Sequence, residues 1–532
     1  MLHTNRVQLL PKFRASQPAF VLFTFLALLS LALTQTTKKV KLQPDITKEI
    51  QSCLSEELEL EERSTCRFFA AVIDAGSTGT RLHLFEFSHD IASEHSNFKL
   101  ESEVFKEVKP GLSSFAATPE LAAESVRELL LTAKKVIPES LWVHTPIVLK
   151  ATAGLRLLPE EKADAILSEV ETEVSNSGLM MDDTGESVGM LSGTDEGVFG
   201  WFTLNYLLDR LGYGEAFSSD FVTAAALDLG GGSTQITFVP SDFDTALHAL
   251  PKDTYSHQLN LFGRQVKLYT HSYLGNGLVA ARIGIARLSP ESEPSTHSLY
   301  TSCFPQGFTL KDWDYAGNAW TVRPAKTSDF SSCLASTRQY VEQVTSVVEV
   351  PQLMDRDVYM FGYFYDRGYQ AGFVGDDPEH LGGPATVGDY KLAAERACAI
   401  PAEDIGPEHW RPWQCMDLTY IYTLLHYGYD LPDRKRVYLA KKLKEKEVSW
   451  ALGAGFHLLN TYHSESVMKA KTVRSVSKSL EETVNKNVQF ETHQGSAGLN
   501  STANQPTTFF GQLIDYISDA ATHIMVYLNL AS

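Results

Sequence analysis

One pattern occurs twice in this chain and constrains its fold more than any other feature. Phe68-Phe69-Ala70-Ala71-Val72-Ile73 leads into Asp74-Ala75-Gly76-Ser77-Thr78-Gly79-Thr80-Arg81 and leaves through Leu82-His83-Leu84-Phe85-Glu86-Phe87. Thr223-Ala224-Ala225-Ala226-Leu227 leads into Asp228-Leu229-Gly230-Gly231-Gly232-Ser233-Thr234-Gln235 and leaves through Ile236-Thr237-Phe238-Val239. Each copy reads as an apolar strand, a glycine-rich turn opened by an aspartate, and a second strand. The two aspartates stand 154 positions apart, the length of a domain. A duplicated hairpin implies two similar lobes whose Asp-x-Gly tips face each other across a cleft. A single such turn would be as well explained by the ordinary turn preference of Asp and Gly. Two in the same strand context point to a shared site. Helical stretches fall between them: Pro119 to Val136, Pro159 to Val174 with Glu160 and Glu161 at its start, and Glu196 to Leu211. The class is therefore α/β.

The two ends of the 532-residue chain carry different signals. Arg6, Lys12 and Arg14 precede an apolar run from Ala19 to Leu33. At about 15 residues, this run matches a signal-peptide core and falls short of a membrane span. Residues 1–34 are read as a cleaved signal peptide or an uncleaved signal anchor, the latter being the chain's one tie to a membrane. Either way the body lies in an oxidising lumen. Six cysteines with no CxxC pair suit disulfides there. Neighbour pairing (Cys53 with Cys66, Cys303 with Cys333, Cys398 with Cys415) is the simplest of many connectivities. Asn500-Ser501-Thr502 is a lumenal glycosylation sequon. Residues 35–67 read as a polar stem and 463–508 as a polar linker. In 509–532, Phe510, Leu513, Ile514 and Ile517 recur at helical spacing. Asp515 and Asp519 argue against a span, so this amphipathic helix docks on the body or on a protein partner.

Charge narrows the ligand. A formal net charge of -19 repels nucleic acid. A phosphate ligand then needs local positive potential from a cation and converging backbone N–H groups. The hairpin tips can supply both. Ser77, Thr78, Gly79 and Thr80 in one, and Gly231, Gly232 and Ser233 in the other, form phosphate loops. Asp74 and Asp228 suit a hard cation, Ca²⁺ or Mg²⁺. In Gly193-Thr194-Asp195-Glu196-Gly197, Glu196 opens an apolar helix and is either a general base aimed at water or a helix-start acid. Ser233 and Gln235 could hold the same water. Thr152, in Lys150-Ala151-Thr152-Ala153-Gly154-Leu155-Arg156, stands where a strand ends and either reaches a metal-bound water or serves as a cap. The aromatic run from Tyr359 to Tyr369 offers faces for a nucleobase, or simply packs in the core.

Taken in order, IDAGSTGTR, KATAGLRLL, GTDEGVFGWFTLNYLL, ALDLGGGSTQITF and WALGAGFHLL resemble the conserved regions of the nucleoside triphosphate diphosphohydrolase (apyrase) family. VKPGLSSF, CMDLTYIYTLL and FGYFYDRG look like its soluble endoplasmic-reticulum and Golgi branch, which prefers nucleoside diphosphates such as UDP and GDP. The resemblance implies two actin-like (RNase H-like) lobes around an interlobe nucleotide cleft. The first would hold residues 68–190 and take back 450–462; the second would hold 191–449. It implies Glu196 as catalytic base, Ser233 and Gln235 as holders of the attacking water, and Asp74, Asp228, Thr152 and Trp450 around the metal and its waters. It implies Tyr365 as the base-stacking aromatic, and the bridges Cys303–Cys333 and Cys398–Cys415. Paired Asp-Gly hairpins alone would also permit a sugar kinase or polyphosphate phosphatase. A catalytically silent nucleotide-binding scaffold is a third reading, but it should have lost Glu196 or a metal aspartate, and all are present.

Overall fold

A computed structural model of the chain describes residues 66–462 apart from 90–97, 183–184, 212–222, 249, 262–263, 316–317, 346 and 376–380. The N-terminal apolar segment, Cys53, the linker, the sequon and the C-terminal helix lie outside the described residues. So does the stem, save its last two positions. Those two already belong to strand β1 (Cys66–Ala75), because β2 (Thr80–His89) runs on far enough for Cys66 to pair with His89.

The first sheet adds β3 (Lys99–Val108), β4 (Ile147–Ala151) and β5 (Val188–Met190) in the order β3-β2-β1-β4-β5. β1 is antiparallel to β2 and parallel to β4. The second sheet is built around β6 (Ala225–Leu229), β7 (Ser233–Phe238), β8 (Ser256–Leu261) and β9 (Arg264–Leu274). A small separate sheet, β10 (Ser298–Thr301), β11 (Leu310–Tyr315) and β12 (Asn318–Pro324), interrupts it in sequence. β13 (Val358–Gly362), β14 (Gly382–Thr386) and β15 (Arg436–Ala440) then complete the order β14-β15-β13-β6-β7-β9-β8. Its inner strands β9-β7-β6-β13-β15 repeat the order and the antiparallel and parallel senses of the first sheet. The duplicated hairpins β1–β2 and β6–β7 thus occupy equivalent places in two lobes of the same topology.

Alternation within the central strands explains their unbroken apolar runs. In β1, Phe69, Ala71 and Ile73 face a core closed by helices α1 (Pro119–Val136) and α2 (Glu160–Ser175). Ala70 and Val72 point the other way. In β6, Leu227 and Leu229 join the second lobe's own core, while Ala226 points back to the first. The two inward faces meet in a shared core. Trp201 and Leu204 of α3 (Gly193–Leu207) and Leu452 and Phe456 of the helix that begins at Trp450 fill it. The outer side of the second lobe carries α4 (Leu278–Arg287), α5 (Phe330–Gln339), α6 (Tyr363–Gln370), α7 (Val387–Cys398) and α8 (Gln414–Thr423). Disulfide Cys398–Cys415 joins α7 to α8, and Cys303–Cys333 joins α5 to the turn that follows β10. No helix among the described residues is long and apolar enough to cross a membrane.

Gly362 ends β13 with φ 65°, and a Cβ there would stand 2.6 Å from the Leu229 carbonyl oxygen and 2.8 Å from Asp228 Oδ1. Gly362→Ala is therefore expected to cost more than about 1 kcal/mol through strain and clash together. Denaturant unfolding measures this; an unchanged midpoint would mean that the β13 turn yields freely.

Candidate active site

Asp74 and Asp228 sit at equivalent registers, Asp74 opposite Arg81 and Asp228 opposite Gln235 across their hairpins. The two tips touch. A Cβ built on Gly231 would lie 2.0 Å from Ser77 Oγ, and one on Gly232 would lie 2.8 Å from Ala153 Cβ. No side chain fits at either glycine, so the backbones of the two loops define one site between the lobes.

The second loop is oriented from behind. Leu278 N–H donates to the Gly230 carbonyl (2.9 Å), Val279 and Ala280 donate to that of Gly231 (3.0 Å each), and Gly275 donates to that of Gly232 (2.8 Å). These carbonyls therefore face the start of α4 rather than the cleft. The positive end of the α4 dipole stands directly behind the loop. That supplies local positive potential in an acidic chain.

Glu196 lies in the first turn of α3, which Ser192 caps by accepting from the Asp195 N–H at 3.0 Å. The helix therefore starts at Gly193, three residues before the expected position. Its carboxylate is 7% exposed. Oε2 accepts from Arg156 Nη2 at 2.6 Å and from Gln235 Nε2 at 3.0 Å. Gln235 Nε2 also lies 2.7 Å from Ser233 Oγ and 2.9 Å from Ser272 Oγ. Glu196, Ser233 and Gln235 thus form one buried cluster, while Gln235 Oε1 has no partner.

Opposite stand the two aspartates. Asp74 Oδ2 meets Arg81 Nη1 at 3.4 Å, and Arg81 Nη2 is held by Glu107 Oε1 at 3.0 Å. Trp450, 3% exposed, is among the groups that offset the effect of burial on Asp74, whose buried Oδ1 has no partner. Thr152 follows β4, 7% exposed, and its hydroxyl does not cap the short helix Ala153–Arg156 that it precedes.

Burial pushes Glu196 up to about 8, against the pull of Arg156 and with help from Asp228 and Asp74. Asp228 is pushed up to about 7 by burial and then by Asp74, against Arg81. Burial also raises Asp74, opposed first by Arg81 and then by His83. Three enclosed carboxylates repelling one another, with an unpartnered Asp74 oxygen, fit a divalent cation held by oxygen.

Tyr365 departs from the expectation. In α6 it is 4% exposed and lies in the second lobe's core. Helical spacing puts it on the same inward face as Phe364 and Gly368. Its ring stacks on Tyr369 at 5.9 Å, and Tyr369 is the exposed member of that pair. Tyr365 therefore has no free face for a nucleobase in this conformation. Arg156 and Ser272, in contrast, were not anticipated. A basic residue closing a strand-turn-helix segment of an acidic chain was a usable signal for Arg156. Ser272 arrives only because β9 pairs Ser272 with Gln235, a register no local pattern reveals.

A model of the GDA1/CD39 (nucleoside phosphatase) family matches residues 60–471. The chain is 39% identical over 525 residues to nucleoside-diphosphatase uda-1 of Caenorhabditis elegans, covering 97% of this chain and 99% of that one. Ectonucleoside triphosphate diphosphohydrolase 5 of Mus musculus is 39% identical over 398 residues, 74% of this chain and 88% of that one. Among solved structures, a nucleoside triphosphate hydrolase from Neospora caninum aligns with a TM-score of 0.53 at 15% identity, covering 80% of this chain and 97% of that one. At that identity the likeness speaks to fold alone.

Proposed function

Because the chain belongs to the GDA1/CD39 (nucleoside phosphatase) family, we propose that this site hydrolyses the terminal phosphate of nucleoside diphosphates, UDP and GDP foremost, in the secretory-pathway lumen. The carrying observation is the Glu196–Gln235–Ser233 cluster placed where two phosphate loops meet. The diphosphate preference is supported by the near full-length likeness to a nucleoside-diphosphatase. UDP and GDP are what glycosyl transfer from nucleotide sugars leaves behind, so their removal sustains glycosylation. The apolar N-terminal segment and the two disulfides support the lumenal location.

Backbone groups of residues 77–80 and 231–233 hold the phosphates. Ser233 Oγ and the free Gln235 Oε1 orient a water. Glu196 takes its proton as the water attacks the terminal phosphorus in line with the leaving oxygen. Arg156 favours the charged form of Glu196 against its burial. Asp74 and Asp228, with Thr152 and Trp450 through water, would hold Ca²⁺ or Mg²⁺. The cation supplies charge neutralisation for the phosphate oxygens and for these carboxylates.

The test is phosphate release by the secreted protein from UDP, GDP, ADP and ATP, with Mg²⁺, Ca²⁺ or EDTA. Cation-dependent release fastest from UDP or GDP is expected. Faster release from ATP would replace the diphosphate preference with a broad apyrase activity. A folded protein that binds nucleotide and releases nothing would make it a scaffold.

A further inference from the structure

Asp417 in α8 is fully buried, and both of its oxygens are taken by arginines. Arg282 Nε donates to Oδ1 at 2.8 Å and Arg282 Nη2 to Oδ2 at 2.6 Å. Arg367 Nε donates to Oδ2 at 2.6 Å. Each guanidinium also lies over a ring, Arg282 over Trp413 at 4.4 Å and Arg367 over Tyr363 at 5.1 Å. Two buried arginines thus share one buried carboxylate. Apolar residues of like volume generally stabilise such a place as well or better, so stability alone is a weak reason for the arrangement. Its directional geometry is the stronger one.

The three residues come from helices that frame the second phosphate loop. Arg282 belongs to α4, whose first turn holds the Gly230 and Gly231 carbonyls. Arg367 belongs to α6, which begins directly after Gly362, the residue packed on Asp228. One turn beyond Asp417, Tyr420 Oη donates to the Asn276 carbonyl at 2.6 Å, in the turn that leads into α4. α8 therefore ties the second turn of α4 to the last turn of α6, two helices that begin against the second loop, α4 at the Gly230 and Gly231 carbonyls and α6 at Gly362 beside Asp228.

We infer that Asp417, Arg282 and Arg367 form a positioning triad for the phosphatase reaction, holding the second phosphate loop, and with it Ser233 and Gln235, in register with Asp228. The inference rests on the nucleoside diphosphatase reading of the site. No triad member is argued to touch substrate. Misplacement of the loop by about 1 Å is enough to lower a rate on the order of 10²-fold. The second loop carries Ser233, which orients the attacking water, as well as phosphate donors, while the first loop keeps its own hold on the phosphates, so the larger effect is expected on kcat and the smaller on KM.

The experiment measures kcat and KM for UDP with Mg²⁺, together with the melting midpoint, in the full chain. Asp417→Asn is expected to lower kcat by roughly 10- to 100-fold and to move KM by less than about threefold. The triple variant Arg282→Met, Asp417→Leu, Arg367→Met refills the volume with apolar atoms. It is expected to recover the midpoint but not kcat. Arg367→Lys keeps the charge and drops the Nε contact; it is the mild arm should the others fail to fold, with a lowered kcat at an unchanged midpoint expected. Native kcat in the folded triple variant or in Arg367→Lys would overturn the triad, as would a raised KM at native kcat. A native protein inactive on every nucleotide would condemn the diphosphatase reading instead, so the two failures are distinct.

Discussion

Glu196→Gln is expected to release phosphate from UDP more slowly than the native protein by a factor on the order of 10²–10⁴, the usual contribution of a general base. The amide keeps the shape of the side chain and can still accept from Arg156 through its oxygen, so the fold persists. What it loses is the ability to take a proton from water held by Ser233 and Gln235. The substitution also removes one of three mutually repelling buried carboxylates, so the melting midpoint should hold or rise. Steady-state rates with UDP and a thermal melt check both halves. A residual rate within about tenfold of native would place the base elsewhere.

Asp228→Asn should abolish cation-dependent turnover and yet stabilise the cation-free protein. Folded Asp228 titrates at about 7 and Glu196 at about 8. Both lie above the value near ~4 that such groups have in an unfolded chain. Between these limits the folded state binds more protons than the unfolded state, so the stability of the EDTA-treated protein falls as pH rises from about 4 towards 8. Any stabilisation from the protonated carboxyls is complete below the unfolded values and is lost through the folded ones. In Asp228→Asn the fall is shallower and the midpoint near pH 7 is higher. Mg²⁺ or Ca²⁺ should raise the midpoint of the native protein near pH 7 and leave that of the variant nearly unmoved. Melts from pH 5 to 8, with EDTA or cation, decide it. A variant that melts below the native protein in EDTA would show that Asp228 is a structural partner rather than half of a cation site.

Local patterns carried a good part of this molecule and failed at identifiable places. Pro119 to Val136 was readable as a helix because Pro119 at its start and the amphipathic composition agree. The two hairpins were readable because their strands are buried on both faces and their turns need glycine. Glu196, Ser233 and Gln235 came together as the motifs suggested. Tyr365, assigned to the nucleobase by the resemblance and by no local pattern, packs inward on the second lobe, in line with the core reading of the aromatic run. Ser272 and the Asp417 triad were invisible because they depend on strand register and helix placement across long stretches of chain. Asp417 and Arg282 are 135 positions apart, and nothing near either announces the other.

The core shared by the two sheets has a consequence for how the halves can exist. Ala70, Val72, Phe85 and Phe87 on one sheet and Ala226, Leu268 and Phe361 on the other are covered by the same pair of helices, α3 and the one that begins at Trp450. A fragment cut after Met190 would expose its whole inner face to water. A fragment lacking residues 66–190 would keep both helices on its own sheet but bare the side of them that the first sheet covers. The duplication has thus cost its copies their autonomy: either half alone leaves an apolar face open to water, and each fragment is expected to aggregate rather than fold.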